Sequence, residues 1–144
     1  MRMGWLSQLK EWATRRPVAR VDDEVLGPLI YMEGCWEAEL TLAGRPIGFA
    51  IGGRYEPDPA AIARARDIAG SFEQFEKEVA AYLLSVAAQE EYSVAAAQIR
   101  SLVIRHVALH NRVDGMVFFD GGDEFSCWRC DLNGRRPIEL GFDR

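Results

Sequence analysis

The sequence predicts one α+β domain, in which antiparallel meander strands from both chain ends pack on a long central helix. Three patterns predict it: a long amphipathic stretch in the middle, alternating apolar and polar residues before it, and short β-type runs joined by turn residues after it. A chain of 144 residues can bury a core without disulfides or a metal. We divide it into an N-terminal amphipathic helix (residues 1–17) and a single α+β domain (residues 18–144).

The central helix is predicted from Ser71 to Glu91. Its apolar residues recur at steps of three or four, the period of a helix with one buried stripe: Phe72, Phe75, Val79, Leu83 and Val86. Ser71 and Gln74 have the spacing of a capping box. Glu76 lies about 40° from Phe72 around the helix. It would suit a functional site if buried without a partner, and otherwise directs its carboxylate to solvent.

Strands are predicted on both sides of the helices. Trp36 to Leu42 alternates apolar and polar residues and forms a hairpin with Ile47 to Ile51. Val25 to Tyr31 contains Pro28, which lacks a backbone donor, and this predicts an edge strand or a bulged strand.

The segments between and after these follow from turn and capping signals. Asp58-Pro59 starts a short helix that ends at Gly70. Four later strands are predicted at 102–109, 116–119, 125–132 and 138–142, the last two joined by a hairpin at Asn133-Gly134. Because short turns join successive strands, both strand groups are predicted to be antiparallel, and no βαβ pattern is apparent.

Charge and composition narrow the class of partner. The net charge is −5, but residues 1–20 carry +4 and the remainder −9. An acidic body favours a basic protein partner and gives no support for nucleic-acid binding. The three cysteines follow no secretory signal, and no stretch approaches the roughly 20 apolar residues of a membrane span. We therefore expect a cytoplasmic protein with free thiols.

The N-terminal segment Gly4 to Arg16 is amphipathic, with one apolar face: Trp5, Leu6, Leu9, Trp12 and Ala13. A helix folded onto its own domain is the ordinary interpretation. Attachment to a membrane surface is a less favoured alternative. We predict that Trp5 and Trp12, together with the outward-facing Glu37 and Glu39, contact a protein partner.

Four residues near the C-terminus suggest an alternative, a metal- or thiol-dependent enzyme. They have the side chains of a tetrahedral zinc site: His106, His110, Cys127 and Cys130. If 125–132 is a strand, however, its two thiols point to opposite faces, because their spacing is odd. A redox pair is also disfavoured, because such motifs precede a helix. We therefore predict no cofactor.

Other catalytic signals are weak. The sequence contains no G-x-S-x-G, P-loop or G-x-G-x-x-G motif. Three carboxylates cluster within 120–124, where a solvated hairpin turn explains them better than a cation site.

Two stretches resemble a group of uncharacterised bacterial domains, domain of unknown function 2262. The first is Asp23-Glu24-Val25-Leu26-Gly27-Pro28-Leu29-Ile30-Tyr31 with Trp36-Glu37; the second is Phe118-Phe119-Asp120-Gly121-Gly122-Asp123-Glu124-Phe125 with Asp131-Leu132-Asn133-Gly134. The relatives often carry a Gly-His pair where Cys127-Trp128 stands here, so a role for that histidine does not carry over. Similar small acidic domains are found among proteins that neutralise bacterial toxins. The expected function is therefore a non-catalytic protein-binding module, with toxin immunity as one form that the resemblance permits.

Overall fold

The computed structural model describes residues 19–90, 93–121 and 127–143. Four strands come first: β1 (Arg20–Asp23), β2 (Gly27–Met32), β3 (Cys35–Leu42) and β4 (Arg45–Ile51). Three helices follow: α1 (Pro59–Gly70), α2 (Phe72–Gln89) and α3 (Ser93–Arg100). Four more strands close the order: β5 (Val103–Leu109), β6 (Asp114–Asp120), β7 (Cys127–Asn133) and β8 (Arg136–Asp143). The predicted N-terminal helix, with Trp5 and Trp12, and residues 122–124 of the acidic turn lie outside the described residues.

The strands form one eight-stranded sheet whose order follows the sequence from β1 to β8. The α+β class and the antiparallel pairing within each group of four strands are confirmed. β4 and β5, however, pair in parallel, with Gly48 opposite His106 and Ile51 opposite Leu109. The prediction of no βαβ unit is therefore wrong, because the three helices together make the crossover. The prediction of an edge strand at Val25 to Tyr31 is also wrong, because β2 pairs with β3 along one edge and with β1 along the other.

Local signals fix the helices. Asp58 accepts a hydrogen bond from Ala61 N at 2.9 Å, and α1 ends at Gly70 as predicted. The predicted capping box is wrong, since the Ser71 hydroxyl donates to Asp67 O at 2.7 Å instead. A single residue separates α1 from α2, so this hydroxyl is used to end the first helix. No helix in the described ranges is both long enough and apolar enough to cross a membrane.

The core lies between the helices and one face of the sheet, which we call the inner face. All three helices contribute buried residues to it, including Ala65, Phe75 and Ile99. The sheet contributes its inward positions, which are fully or almost fully buried: Trp36, Phe49, Val107, Val117 and Cys130. Side chains alternate along a strand, so the intervening positions lie on the opposite, outer face.

A buried carboxylate ties the first hairpin to α1. The Asp23 side chain is only 2% exposed, and it accepts from Val25 N at 3.0 Å and Leu26 N at 2.9 Å. Arg66 Nε donates to it at 2.9 Å. Chiefly through this hydrogen bond, Arg66 lowers the pKa of Asp23 below its ordinary value.

We predict that Asp23→Asn destabilises the fold by about 2 kcal/mol near neutral pH, because it removes charge-assisted hydrogen bonds. A lowered folded-state pKa contributes stability above the ordinary pKa, and this is lost as pH falls through the folded-state value. The free energy of unfolding in denaturant, measured from pH 7 down to 3, should therefore converge for the two proteins at low pH. A gap that does not depend on pH would contradict this role.

Candidate functional site

The outer face of the sheet carries a continuous row of paired residues from β2 to β8. The register sets them side by side in the order Ile30, Glu37, Ala50, Ala108, Met116, Asp131 and Glu139. A second row runs beside it in the order Glu39, Gly48, His106, Phe118, Arg129 and Gly141. Residues from both halves of the chain thus share one surface.

Side-chain chemistry divides this surface into a floor and two borders. The floor, on β4, β5 and β6, is mostly small or apolar: Gly48, Ala50, His106, Ala108, Met116 and Phe118. Glu37 and Glu39 border it on β3, and Asp131 and Glu139 border it on β7 and β8. Arg129 adds one cation on the β7 side. We call the floor and its four carboxylates the acid-flanked strip.

A cluster of three polar side chains occupies one border of the strip. Cys35 Sγ donates to Glu37 Oε1 at 3.1 Å, and His106 Nε2 lies 3.5 Å from Glu37 Oε2. His106 reaches β3 by crossing Gly48, where an added Cβ would come within 2.5 Å of the imidazole Cδ2. The Phe118 ring packs against the same imidazole, with the ring centroids 5.9 Å apart. Glycine at position 48 is therefore what allows the histidine to contact Glu37.

The cluster does not activate its thiol. Burial, and secondarily the Glu37 carboxylate, raise the pKa of Cys35 to about 12. Because the thiolate is the nucleophile, a thiol with this pKa reacts only slowly at neutral pH and is not suited to nucleophilic catalysis. The arrangement therefore orients Glu37 rather than preparing Cys35 for attack.

The four residues of the proposed metal or thiol site are distributed over different surfaces. Cys130 is buried in the core on the inner face, whereas Cys127 is exposed three residues earlier in β7. The extended backbone predicted through both cysteines is thus confirmed for 127–132. His106 lies on the outer face and His110 follows the end of β5, exposed. Among the described residues, no three His, Cys, Asp or Glu side chains converge as metal ligands would.

A cleft of about 260 Å³ opens on the inner side, between α2 and the start of β5. Its walls are largely apolar, including Val79, Leu83 and Phe119. Glu76 and Arg45 form an ion pair there, each side chain about one-third exposed. Glu76 therefore has a partner, and its position beside the apolar stripe is explained by this pair.

Glu37 and Glu39 were predicted as outward-facing contacts, and the structure places both on the outer face. Glu37 is nevertheless only 16% exposed and has two neighbours, so it is not an open surface carboxylate. Whether these two acids and the tryptophans Trp5 and Trp12 contact a partner stays a prediction. Sequence reasoning missed the contact across Gly48, because it depends on the parallel pairing of β4 with β5.

We predict that Gly48→Ala destabilises the fold by about 1–2 kcal/mol, because the new methyl group displaces the His106 ring. In a His106→Ala background the same substitution should cost much less, since the obstructing ring is gone. Denaturant unfolding of the four proteins in this double-mutant cycle measures the coupling. Additive effects would contradict the crossing geometry.

Related proteins give no guide to this surface. Comparisons of the chain with protein-family models, with curated proteins and with solved structures found no match. The resemblance to domain of unknown function 2262 therefore stays a prediction. Function has to be inferred from the residues that the fold brings together.

Proposed function

We propose that this protein is a non-catalytic module that binds a basic protein partner through the acid-flanked strip. The observation that carries the proposal is the side-by-side placement of an apolar floor and carboxylates on both of its borders. An apolar floor supplies binding energy through burial, and carboxylates around it favour basic groups and speed association. Glu37 and Glu39 belong to this surface, as the sequence predicts.

The dimensions of the strip favour a helical segment of the partner. The floor strands β4 and β6 lie about 10 Å apart, at about 4.8 Å per strand. A helix with its side chains is about 10–12 Å wide, so it covers the floor and brings its flanks over the borders. A basic amphipathic helix would place its apolar stripe on the floor and its cations beside the acids.

The alternative of a thiol enzyme has less support. Burial raises the pKa of Cys130 to about 12, as it does for Cys35. Cys127 lies on the other face of β7, away from Cys130. A binding role uses this surface as it stands, an apolar floor between carboxylates, and requires no activated group.

Three further expectations belong to the same proposal. We propose that residues 1–17 form the predicted amphipathic helix, that the protein acts in the bacterial cytoplasm, and that toxin neutralisation is the form of binding to test first. Nucleic acid is not proposed as a partner, because carboxylates repel phosphates. Membrane-surface attachment through Trp5, Leu9 and Trp12 is not favoured either.

We predict that the full chain, used as bait in lysate of its host, captures a basic protein at low salt and loses most of it at high salt. A bait carrying Glu39→Lys and Asp131→Lys should capture at least about tenfold less of this protein, because both borders then repel cations. Quantitative mass spectrometry of the eluates measures the difference.

The matched control carries Glu73→Lys and Glu90→Lys, which make the same change in charge at exposed positions of α2 and its end. This bait should capture the partner as well as the parent does. Equal loss with both baits would show that net charge alone attracts the partner. Undiminished capture by the strip variant would contradict the proposed surface.

A further inference from the structure

Part of the outer face is buried although the helices pack on the other side. Ile30 is 1% exposed and Ala108 is 6% exposed, yet neither belongs to the core cluster on the inner face. The buried residues of α1, α2 and α3 all belong to that cluster. Among the described residues, therefore, the three helices do not account for the burial of Ile30 and Ala108.

The described chain starts beside this surface. Ala19 O accepts from Tyr31 N at 3.1 Å, so the chain joins the sheet next to β2, one residue from Ile30. The hairpin that follows β2 carries Cys35 and Glu37 on the outer face. A segment that precedes Ala19 is thus tethered within a few residues of the strip.

The sequence of residues 1–16 complements the strip in both polarity and charge. Its apolar face carries Trp5, Leu9 and Trp12, and the segment holds four cations against one acid. The strip offers an apolar floor between carboxylates. A helix over residues 4–16 would be about 20 Å long, enough to run across the strands and span the roughly 14 Å from Ile30 on β2 to Ala108 on β5, three strand spacings apart.

We propose that residues 4–16 form a helix that occupies the acid-flanked strip in the free protein, with Leu9 and the two tryptophans against the floor. The segment shields Ile30, Ala108 and the Cys35–Glu37 border from water. It also acts as an internal competitor, so a basic partner has to displace it. This last step alone rests on the proposed function.

The test uses Cys35 as a reporter in the full-length chain carrying Cys127→Ser. Two described thiols then remain, Cys35 on the covered outer face and Cys130 in the core. Leu9→Glu puts a charge on the apolar face of the segment and should raise the rate of Cys35 alkylation by roughly tenfold, as expected when a local cover opens. Peptide mass spectrometry reads the two thiols separately.

Gln8→Glu is the matched control, because it adds the same charge on the polar face of the segment. It should leave both rates unchanged, and Cys130 should stay slow in every variant. Equal Cys35 rates in Leu9→Glu and Gln8→Glu would overturn the proposal. So would a parallel rise at Cys130, because the substitution would then have opened the core rather than the outer face.

Light scattering on the same samples distinguishes a second copy as the occupant. A monomer in every variant is expected. A dimer that Leu9→Glu converts to monomer would overturn the intramolecular assignment. The two proposals can fail separately. If Leu9→Glu leaves Cys35 labelling unchanged while capture of the partner still depends on the strip, only the internal competitor is ruled out. If Leu9→Glu speeds Cys35 labelling while capture does not depend on the strip, only the partner site is ruled out.

Discussion

The parallel pairing of β4 with β5 is the contact on which the rest of this structure depends. It joins two four-stranded meanders, which the chain forms on either side of its helices, into one sheet. At its end, Gly52 N donates to Leu109 O at 2.8 Å, and an added Cβ at position 52 would lie 2.1 Å from His110 O. The two strand ends approach so closely there that only glycine fits. Without this pairing, Glu37 and Asp131 would not border one surface.

Local interactions determine most elements, and these could be predicted. Asp58 caps α1 and Pro59 begins it, as the sequence indicates. Alternation predicts β3 and β4, and a turn signal predicts the last hairpin, whose two turn residues are Gly134, with φ +63°, and Arg135. Each of these depends on residues that are close in sequence, and their preferences can be assessed without knowing the rest of the fold.

The features that were missed depend on contacts between distant parts of the chain. Nothing near Gly48 indicates that His106, from the second meander, will cross it to reach Glu37. Burial of Glu37 follows from the same long-range pairing, so an apparently outward acid has a partner. β1 was missed because Arg20–Asp23 is short and polar, and it is a strand only because β2 pairs with it. The Ser71 hydroxyl could serve either helix. It donates to Asp67 O at the end of α1 and therefore does not cap α2.

Function on this account is a property of the sheet face rather than of a reactive group. The outer face combines a floor of mostly small or apolar side chains with carboxylates that favour cations, and this combination suits a basic amphipathic helix. Residues 4–16 of the same chain have the sequence pattern of such a helix. The proposed binding and its proposed regulation both rest on one physical property, complementary charge around an apolar contact.

The most direct measurement is an NMR spectrum of the full chain with labelled alanine methyl groups, recorded before and after adding the captured partner. Ala50 and Ala108 report on the strip, and Ala63 and Ala80 report on exposed positions of α1 and α2. The account predicts shifts at Ala50 and Ala108 with Ala63 and Ala80 unchanged. Shifts confined to Ala63 and Ala80 would contradict it.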